Sequence, residues 1–294
     1  MSGQKVYKER NISPTCGSTS SIQLIRLREW GNRKQGMRIV RLISNNPLTA
    51  RLASETITTA TSDIEKFRAQ LLITAGGFGY ATIEPRSSEA EALKAVQDYV
   101  THVLQHIPRN RKFDIILGVD CGPDWKGQLQ DAYLIPNTAS SIGECTRAYK
   151  AYPMDTEGYL FTKGQPCPQR AVDINGEKIY LLICSDLTAF SERSKKKRGQ
   201  QKENWAKQLE AEVLPGSSGI VHLIHRLDTY RAGPGFKDGM NKLVKAGVSW
   251  GISAFRTSLN ATSSSDEDEL KKIEKWTSRF AGPTLDLYVQ ETPS

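Results

Sequence analysis

The 294-residue sequence lacks any apolar run close to the roughly 20 residues that a membrane-spanning helix requires. Its N-terminus also lacks the apolar segment of a secretory signal peptide. A cytoplasmic protein with no membrane association is therefore the expectation from the sequence.

Metal-binding and disulfide patterns are missing as well. The few cysteines are widely spaced, contain no CxxC pair and are odd in number, so neither a disulfide framework nor a zinc site is indicated. His102 and His106 lie four residues apart, but no Glu-x-x-His context accompanies them, and we expect them on the surface or at a helix end. No metal and no cofactor is predicted. The five cysteines are Cys16, Cys121, Cys145, Cys167 and Cys184.

The composition is that of an ordinary globular protein, with 38% hydrophobic and 24% charged residues. The net charge is +8, and the densest basic cluster is Lys195-Lys196-Lys197-Arg198. A solvated surface explains such a cluster in most proteins, whereas nucleic acid or another anionic partner is the alternative. No aromatic residue interleaves with the cluster, which argues against binding to single-stranded nucleic acid.

Short apolar runs alternate with longer helix-compatible stretches after a polar segment at residues 1–20, which we predict to be a flexible tail. This order predicts a single layered α/β domain over residues 21–294. Strands near residues 113 and 132 are too close for a helical crossover and should pair antiparallel in a mixed sheet. The predicted strands are Ile22–Leu27, Met37–Ile43, Leu71–Thr74, Phe113–Val119, Ala132–Ile135, Ala171–Ile174, Lys178–Cys184, Ile220–His225, Trp250–Phe255 and Leu285–Val289, and the predicted helices are Ser87–Ile107, Lys202–Val213, Phe236–Val244 and Asp266–Phe280.

The run from Lys178 to Ile183 is almost continuously apolar, which predicts a strand buried on both faces. Cys184 follows where the sequence becomes polar. Functional groups of open α/β sheets collect just beyond the carboxyl ends of strands, so Cys184 is a candidate thiol nucleophile. Its alternative role is that of a small buried hydrophobic residue.

The surrounding residues strengthen the first interpretation. Lys150 is followed by Glu157, with Phe161 and Gly164 at spacings of four and three, and then by the segment Ile183-Cys184-Ser185-Asp186-Leu187. As a set they resemble the carbon–nitrogen hydrolase (nitrilase/amidase) family.

This resemblance implies a four-layer α-β-β-α sandwich with a mixed sheet and a small amide-like substrate. It implies that Cys184 is the nucleophile and that Lys150 stabilises the oxyanion together with the backbone N–H of Ser185. Glu157 would hold Lys150. Self-association into a homo-oligomer is also implied. Asp186 and His225 are further candidates for the pocket.

The family pattern breaks at its general base. A Pro-Glu pair is expected after an early strand, but this position holds Ala75-Gly76, so Gly76 marks a degenerate base position. Glu84 or Asp186 could substitute, the alignment could be shifted, or the chain could be a catalytically degenerate member that acts as a binding or assembly module. The cluster Gly76-Gly77-x-Gly79 is also compatible with a phosphate-binding turn. Residues 192–215 look like a basic insertion relative to the family.

Overall fold

The computed structural model describes residues 9–12, 20–31, 36–123, 128–152, 160–162, 165, 167–191, 200–213, 218–228, 233–259 and 263–293. Within these ranges the chain forms thirteen strands and five α-helices. In chain order they are β1 (Glu9–Ile12), β2 (Ser20–Trp30), β3 (Ile39–Ser44), α1 (Ala50–Phe67), β4 (Leu71–Thr74), β5 (Gly79–Thr82), α2 (Glu89–His106), β6 (Asp114–Gly122), β7 (Leu129–Ile135), β8 (Thr146–Tyr149), β9 (Ala171–Ile174), β10 (Glu177–Ile183), α3 (Gln200–Val213), β11 (Gly219–Ile224), α4 (Pro234–Lys245), β12 (Trp250–Phe255), α5 (Ser264–Thr277) and β13 (Thr284–Pro293).

Two mixed sheets organise the molecule. The larger has the order β1-β2-β13-β3-β4-β6-β7-β8, with β5 added alongside β6, and the smaller has the order β12-β11-β10-β9. Strands β10, β11 and β12 are parallel, as are β3, β4 and β6. β6 and β7 pair antiparallel, as the short connection between them predicted. The predicted mixed α/β sheet architecture is confirmed.

The two faces of the large sheet pack into two separate hydrophobic cores, because successive residues of a strand point to opposite faces. In β3, Ile39 and Ile43 join the core that also contains β10 to β12. Val40 and Leu42, on the other face of β3, pack into the core formed with α1 and α2. The smaller sheet is in turn covered by α4 and α5, so most residues of β10, β11 and β12 are buried on both faces. The layers therefore run helix, sheet, sheet, helix.

Helices α1 and α2 begin at residues whose side chains cap the first turn. Ser88 and Glu91 form a reciprocal capping box at the start of α2. The Thr49 side chain accepts a hydrogen bond from the N–H of Leu52 at the start of α1, a helix that the sequence patterns did not predict. Within residues 1–20, predicted as a flexible tail, the described residues Glu9–Ile12 form β1 and pair antiparallel with β2.

Some expectations fall on residues that the structure does not describe. The basic cluster at residues 195–198 lies in the undescribed range 192–199, although the second half of the expected insertion contains the helix α3. Among the described residues, no helix is long and apolar enough to cross a membrane. The described histidine, cysteine and acidic residues include no group that could hold a metal ion.

Candidate active site

The candidate nucleophile stands on a sharp turn at the end of a buried strand. Cys184 directly follows β10, and its φ of +46° lies in the left-handed region that side chains other than glycine rarely adopt. Such a conformation costs of the order of 1–3 kcal/mol and persists only when the surroundings enforce it. The residue is 8% exposed, so its thiol is shielded but not sealed from solvent.

A buried carboxylate fixes this turn to the neighbouring chain segment. Asp186 is fully buried and accepts hydrogen bonds from the N–H of Ile183 at 3.2 Å and from the two N–H groups of residues 151–152 at 3.2 and 2.9 Å. Arg170 Nη1 donates to the same carboxylate at 2.7 Å. Because these partners surround both of its oxygens, Asp186 positions the Cys184 turn and does not face a pocket or replace the missing base.

Two further contacts hold the backbone behind the thiol. His222 is fully buried, and its Nε2 donates to the carbonyl oxygen of Cys184 at 2.8 Å. Burial lowers the pKa of His222 to about 4, although the hydrogen bond to Cys184 opposes this, so the ring is neutral at pH 7. The hydroxyl of Ser185 donates to the carbonyl of Tyr152 at 2.5 Å. Together these bonds explain how the unusual φ is maintained.

On the other side of the thiol lies an imidazole–carboxylate pair. His225 follows β11, the parallel neighbour of β10, and its Nε2 lies 2.9 Å from Oδ1 of Asp120 on β6. Burial alone lowers the pKa of His225, but the charge and hydrogen bond of Asp120, together with the charge of Cys184, outweigh it and raise the pKa to about 9. The imidazole, 14% exposed, binds the Asp120 carboxylate through Nε2, and the nearby thiol acts on it by its charge, while the buried Nδ1 has no hydrogen-bond partner among the described residues. Nucleophile, base and orienting group of a cysteine hydrolase have this arrangement.

The turn at Gly76 and Gly77, after β4, shows why this chain has no glutamate at the expected position of the family's general base. A Cβ on Gly76 would lie 3.0 Å from the carbonyl oxygen of Leu223 and 3.2 Å from the backbone nitrogen of His225. A Cβ on Gly77, whose φ is +58°, would lie 2.5 Å from Oδ2 of Asp120 and 3.2 Å from Cδ2 of His225. The turn after β4 therefore has no room for a glutamate, because β11 and the His225–Asp120 pair occupy that space. A carboxylate at this turn also disfavours the phosphate-binding interpretation.

Of the two other residues of the family motif, the structure describes Lys150 but not Glu157. Lys150 is fully buried one residue after β8, and its N–H donates to Gln130 O at 2.9 Å. The two residues after Lys150 donate to Asp186, so its backbone lies beside the Cys184 turn. Glu157 lies in the undescribed range 153–159.

An arginine lies at the edge of the small sheet that also carries Cys184 and His225. Arg256 follows β12, and its Nε donates to the carbonyl oxygen of His225 at 2.8 Å. Burial lowers the pKa of Arg256, while the charges of Asp120 and Cys184 oppose this, which places all three groups within electrostatic range of one another. The guanidinium remains charged, since arginine is effectively always protonated in proteins.

Sequence reasoning identified Cys184 and noted His225, but missed Asp120 and Arg256. The signal that identified Cys184 also applies to Asp120 and Arg256. Both are the first charged residue at the carboxyl end of a buried apolar run. The register brings the ends together, because Ile183 pairs with Leu223 in parallel strands. The two sheets meet at this same edge, where Gly76 N donates to Ile224 O at 3.2 Å.

Comparisons with known proteins agree with this architecture. No protein-family model matches the chain, and no curated protein matches it significantly. Several structures of an amidase from Nesterenkonia sp. AN1 are similar in fold. A variant with the acetamide moiety of fluoroacetamide added covalently at the active-site cysteine has a TM-score of 0.51 and 19% identity over 77% of this chain and 78% of that one. A cysteine-to-alanine mutant of the same amidase, assigned to the nitrilase superfamily, has a TM-score of 0.50 and 16% identity over 90% of this chain and 93% of that one.

A third structure of that amidase, a cysteine-to-alanine mutant in complex with butyramide, has a TM-score of 0.50 and 19% identity over 77% of this chain and 78% of that one. These matches show that the chain has the fold of the nitrilase superfamily, which confirms the predicted four-layer sandwich. At such identities they define the fold, and the chemistry has to be argued from the chain's own residues.

Proposed function

We propose that the protein is a thiol-dependent hydrolase of amide-type C–N bonds in which Cys184 is the nucleophile and His225 the general base. The observation that carries this proposal is the pairing of the Cys184 turn with the buried His225–Asp120 pair. A cysteine near its ordinary pKa is mostly thiol at pH 7, so it needs a neighbouring base or cation to react. His225 meets that need from the place where other members of the fold are expected to hold a glutamate.

The first half of the reaction forms a thioester. Because the pKa of His225 is raised to about 9, the imidazole already holds the proton of Cys184 at pH 7, and the thiolate of this pair attacks the carbonyl carbon of the amide, forming an S–C bond and moving an electron pair onto the oxygen. When the tetrahedral intermediate collapses, the C–N bond breaks, and the imidazolium gives its proton to the departing amine. Asp120 keeps the imidazole oriented and stabilises its charged form.

The second half repeats these steps with water. Neutral His225 takes a proton from a water molecule that attacks the thioester carbon, and the C–S bond breaks to release the acid and regenerate Cys184. One general base therefore serves both halves. A positioned base contributes typically 10²–10⁴-fold to such rates, which is the contribution that the glycine turn had put in doubt.

The developing oxyanion needs donors aimed at it. We assign this task to Lys150 and to the backbone N–H of Ser185, because both belong to the segments joined through Asp186 at the Cys184 turn. Glu157 is assigned to hold Lys150. A small amide-like substrate, a homo-oligomeric assembly and a cytoplasmic location remain part of the proposal.

The test is hydrolysis of a panel of small aliphatic amides by the purified protein, measured as ammonia release. Wild-type protein is expected to release ammonia from at least one amide, and Cys184→Ala is expected to abolish it. Cys145→Ala is the matched control, since this partly exposed thiol lies on the outer side of the large sheet, away from the site. Activity that survives in Cys184→Ala, or a folded wild-type protein whose Cys184 thiol is inert, would instead favour the non-catalytic binding or assembly module.

A further inference from the structure

The carboxyl ends of β10, β11 and β12 carry three functional groups in a row: Cys184, His225 and Arg256. Neighbouring parallel strands lie about 4.8 Å apart, so the ends of β10 and β12 are separated by about two such spacings. The bond from Arg256 Nε to His225 O holds the guanidinium over the end of the middle strand. It therefore lies within about one strand spacing of the thiol's strand.

The two Nη groups of this guanidinium have no hydrogen-bond partner among the described residues. The Arg256 side chain makes its hydrogen bond through Nε, to His225 O, and neither Nη group bonds to any residue in the described ranges. The nearby carboxylate of Asp120 is already engaged by His225 Nε2 at 2.9 Å. Arg256 is partly exposed, so the open side of its guanidinium can be reached from solvent.

Two fully buried arginines, Arg41 and Arg170, show how a guanidinium of this chain pairs with a carboxylate. Arg41 binds both oxygens of Asp286 at 2.8 and 2.9 Å, and Arg170 binds Asp186 at 2.7 Å. A guanidinium removed from water without a paired anion is unfavourable, and its planar fork matches a carboxylate with two parallel hydrogen bonds. Arg256 carries such a fork at the same sheet edge as Cys184, with no protein partner for its Nη groups in the described ranges.

We infer that Arg256 binds a carboxylate of the substrate, and that the protein hydrolyses amides carrying a carboxylate a few bonds from the C–N bond. This inference rests on the proposed function and specifies its substrate class. The carboxylate occupies the Nη groups while the amide carbon lies against Cys184, so the arginine determines specificity and takes no part in proton transfer.

The test compares two small electrophiles of nearly equal shape. Iodoacetate and iodoacetamide each alkylate a thiolate by forming an S–C bond with loss of iodide, and they differ by a carboxylate in place of an amide. The measured quantity is the ratio of their alkylation rates at Cys184 at pH 7, divided by the same ratio for free glutathione. Wild-type protein is expected to give a value of about ten or more, because a forked, charge-assisted contact favours the anion.

Arg256→Gln is expected to reduce this ratio by about tenfold without slowing iodoacetamide. The imidazolium of His225 also attracts anions, and the ratio that remains in Arg256→Gln measures its share. Arg226→Gln is the matched control, because Arg226 is a neighbouring arginine whose side chain is 65% exposed and paired with Asp228. It should retain the wild-type ratio.

A measurement on the wild-type protein covers the case in which Arg256→Gln fails to fold. Succinamate should protect Cys184 from iodoacetamide at about tenfold lower concentration than succinamide, its neutral counterpart. Equal protection by the two compounds, or a ratio unchanged in folded Arg256→Gln, overturns the inference. If Cys184 reacts with iodoacetamide no faster than Cys145, the proposed function itself fails, so the two failures are distinguishable.

Discussion

Replacing Asp120 with asparagine isolates the charge that prepares His225 to act on the thiol. The pKa of His225 is raised from 6.5 to about 9 despite its burial, and Asp120 makes the largest contribution in that direction. At 1.36 kcal/mol per pKa unit, the rise corresponds to about 3 kcal/mol in favour of the imidazolium. Asparagine keeps an oxygen that can accept from Nε2 but removes the charge, so the imidazolium loses at least about 1.4 kcal/mol of this stabilisation, a factor of about ten.

The expected consequence is a slower thiol at acidic pH. With the imidazolium less stable, the thiolate–imidazolium pair forms less readily, and alkylation of Cys184 by iodoacetamide at pH 6 should slow by about tenfold to a hundredfold in Asp120→Asn. Above about pH 10 the two proteins should converge, because an unassisted cysteine is then ionised as well. The assay follows the second-order rate from pH 5 to 10 by peptide mass spectrometry.

Asp228→Asn serves as the control, since Asp228 lies at the same edge but bonds to Arg226 and to Ser258 N. Its rate profile should match that of the wild type. An Asp120→Asn protein that folds normally, as judged by its thermal melting, and reacts at the wild-type rate at pH 6 would refute the reasoning, because Asp120 would then have no influence on the thiol.

Three further predictions concern the stability of the fold. Asp286→Asn should lower the free energy of unfolding in urea by about 3 kcal/mol, because it leaves the fully buried Arg41 without its main carboxylate; a loss below 1 kcal/mol would contradict this. The pKa of His222 is lowered to about 4, so only the unfolded chain binds its proton as pH falls from 6.5 to 4; wild-type stability should fall by up to about 3 kcal/mol in that window, and a His222→Gln variant with the same slope would disprove it. Gly76→Glu should lower the free energy of unfolding in urea by about 1–3 kcal/mol and raise no activity, since its Cβ would press on the β11 backbone; Gly143→Glu, whose Cβ would meet only the Ser141 hydroxyl at 3.9 Å, should be neutral.

Strands buried on both faces were predicted from sequence because their apolar runs are continuous and end abruptly. The run before Cys184 forms β10, and the short link between the strands near residues 113 and 132 gives the antiparallel pair β6–β7. The helix α1 was not predicted because its sequence, with Ile57-Thr58-Thr59, is rich in β-branched residues, and because its buried face includes the polar residues Ser54 and Thr56. Packing against α2 and the large sheet decides its conformation instead.

The candidate site was predictable only where a single strand end carries its signal. Cys184 stood out beside an apolar run, but Asp120, the partner of His225, lies 64 positions before Cys184 and on the other sheet, and no local pattern connects the two. The missing glutamate looked like lost chemistry, since sequence spacing does not show that His225 fills the volume beside Gly77. Only the folded structure, in which the edges of the two sheets meet, shows that His225 and Asp120 occupy the place of the glutamate.

The most direct test of an activated Cys184 is residue-resolved alkylation by limiting iodoacetamide at pH 7. Cys145 is the internal reference, because it is more exposed than Cys184 while burial raises its pKa to about 11. Cys184, although only 8% exposed, is expected to be modified at least tenfold faster than Cys145. Modification of Cys145 first, or at an equal rate, would contradict it.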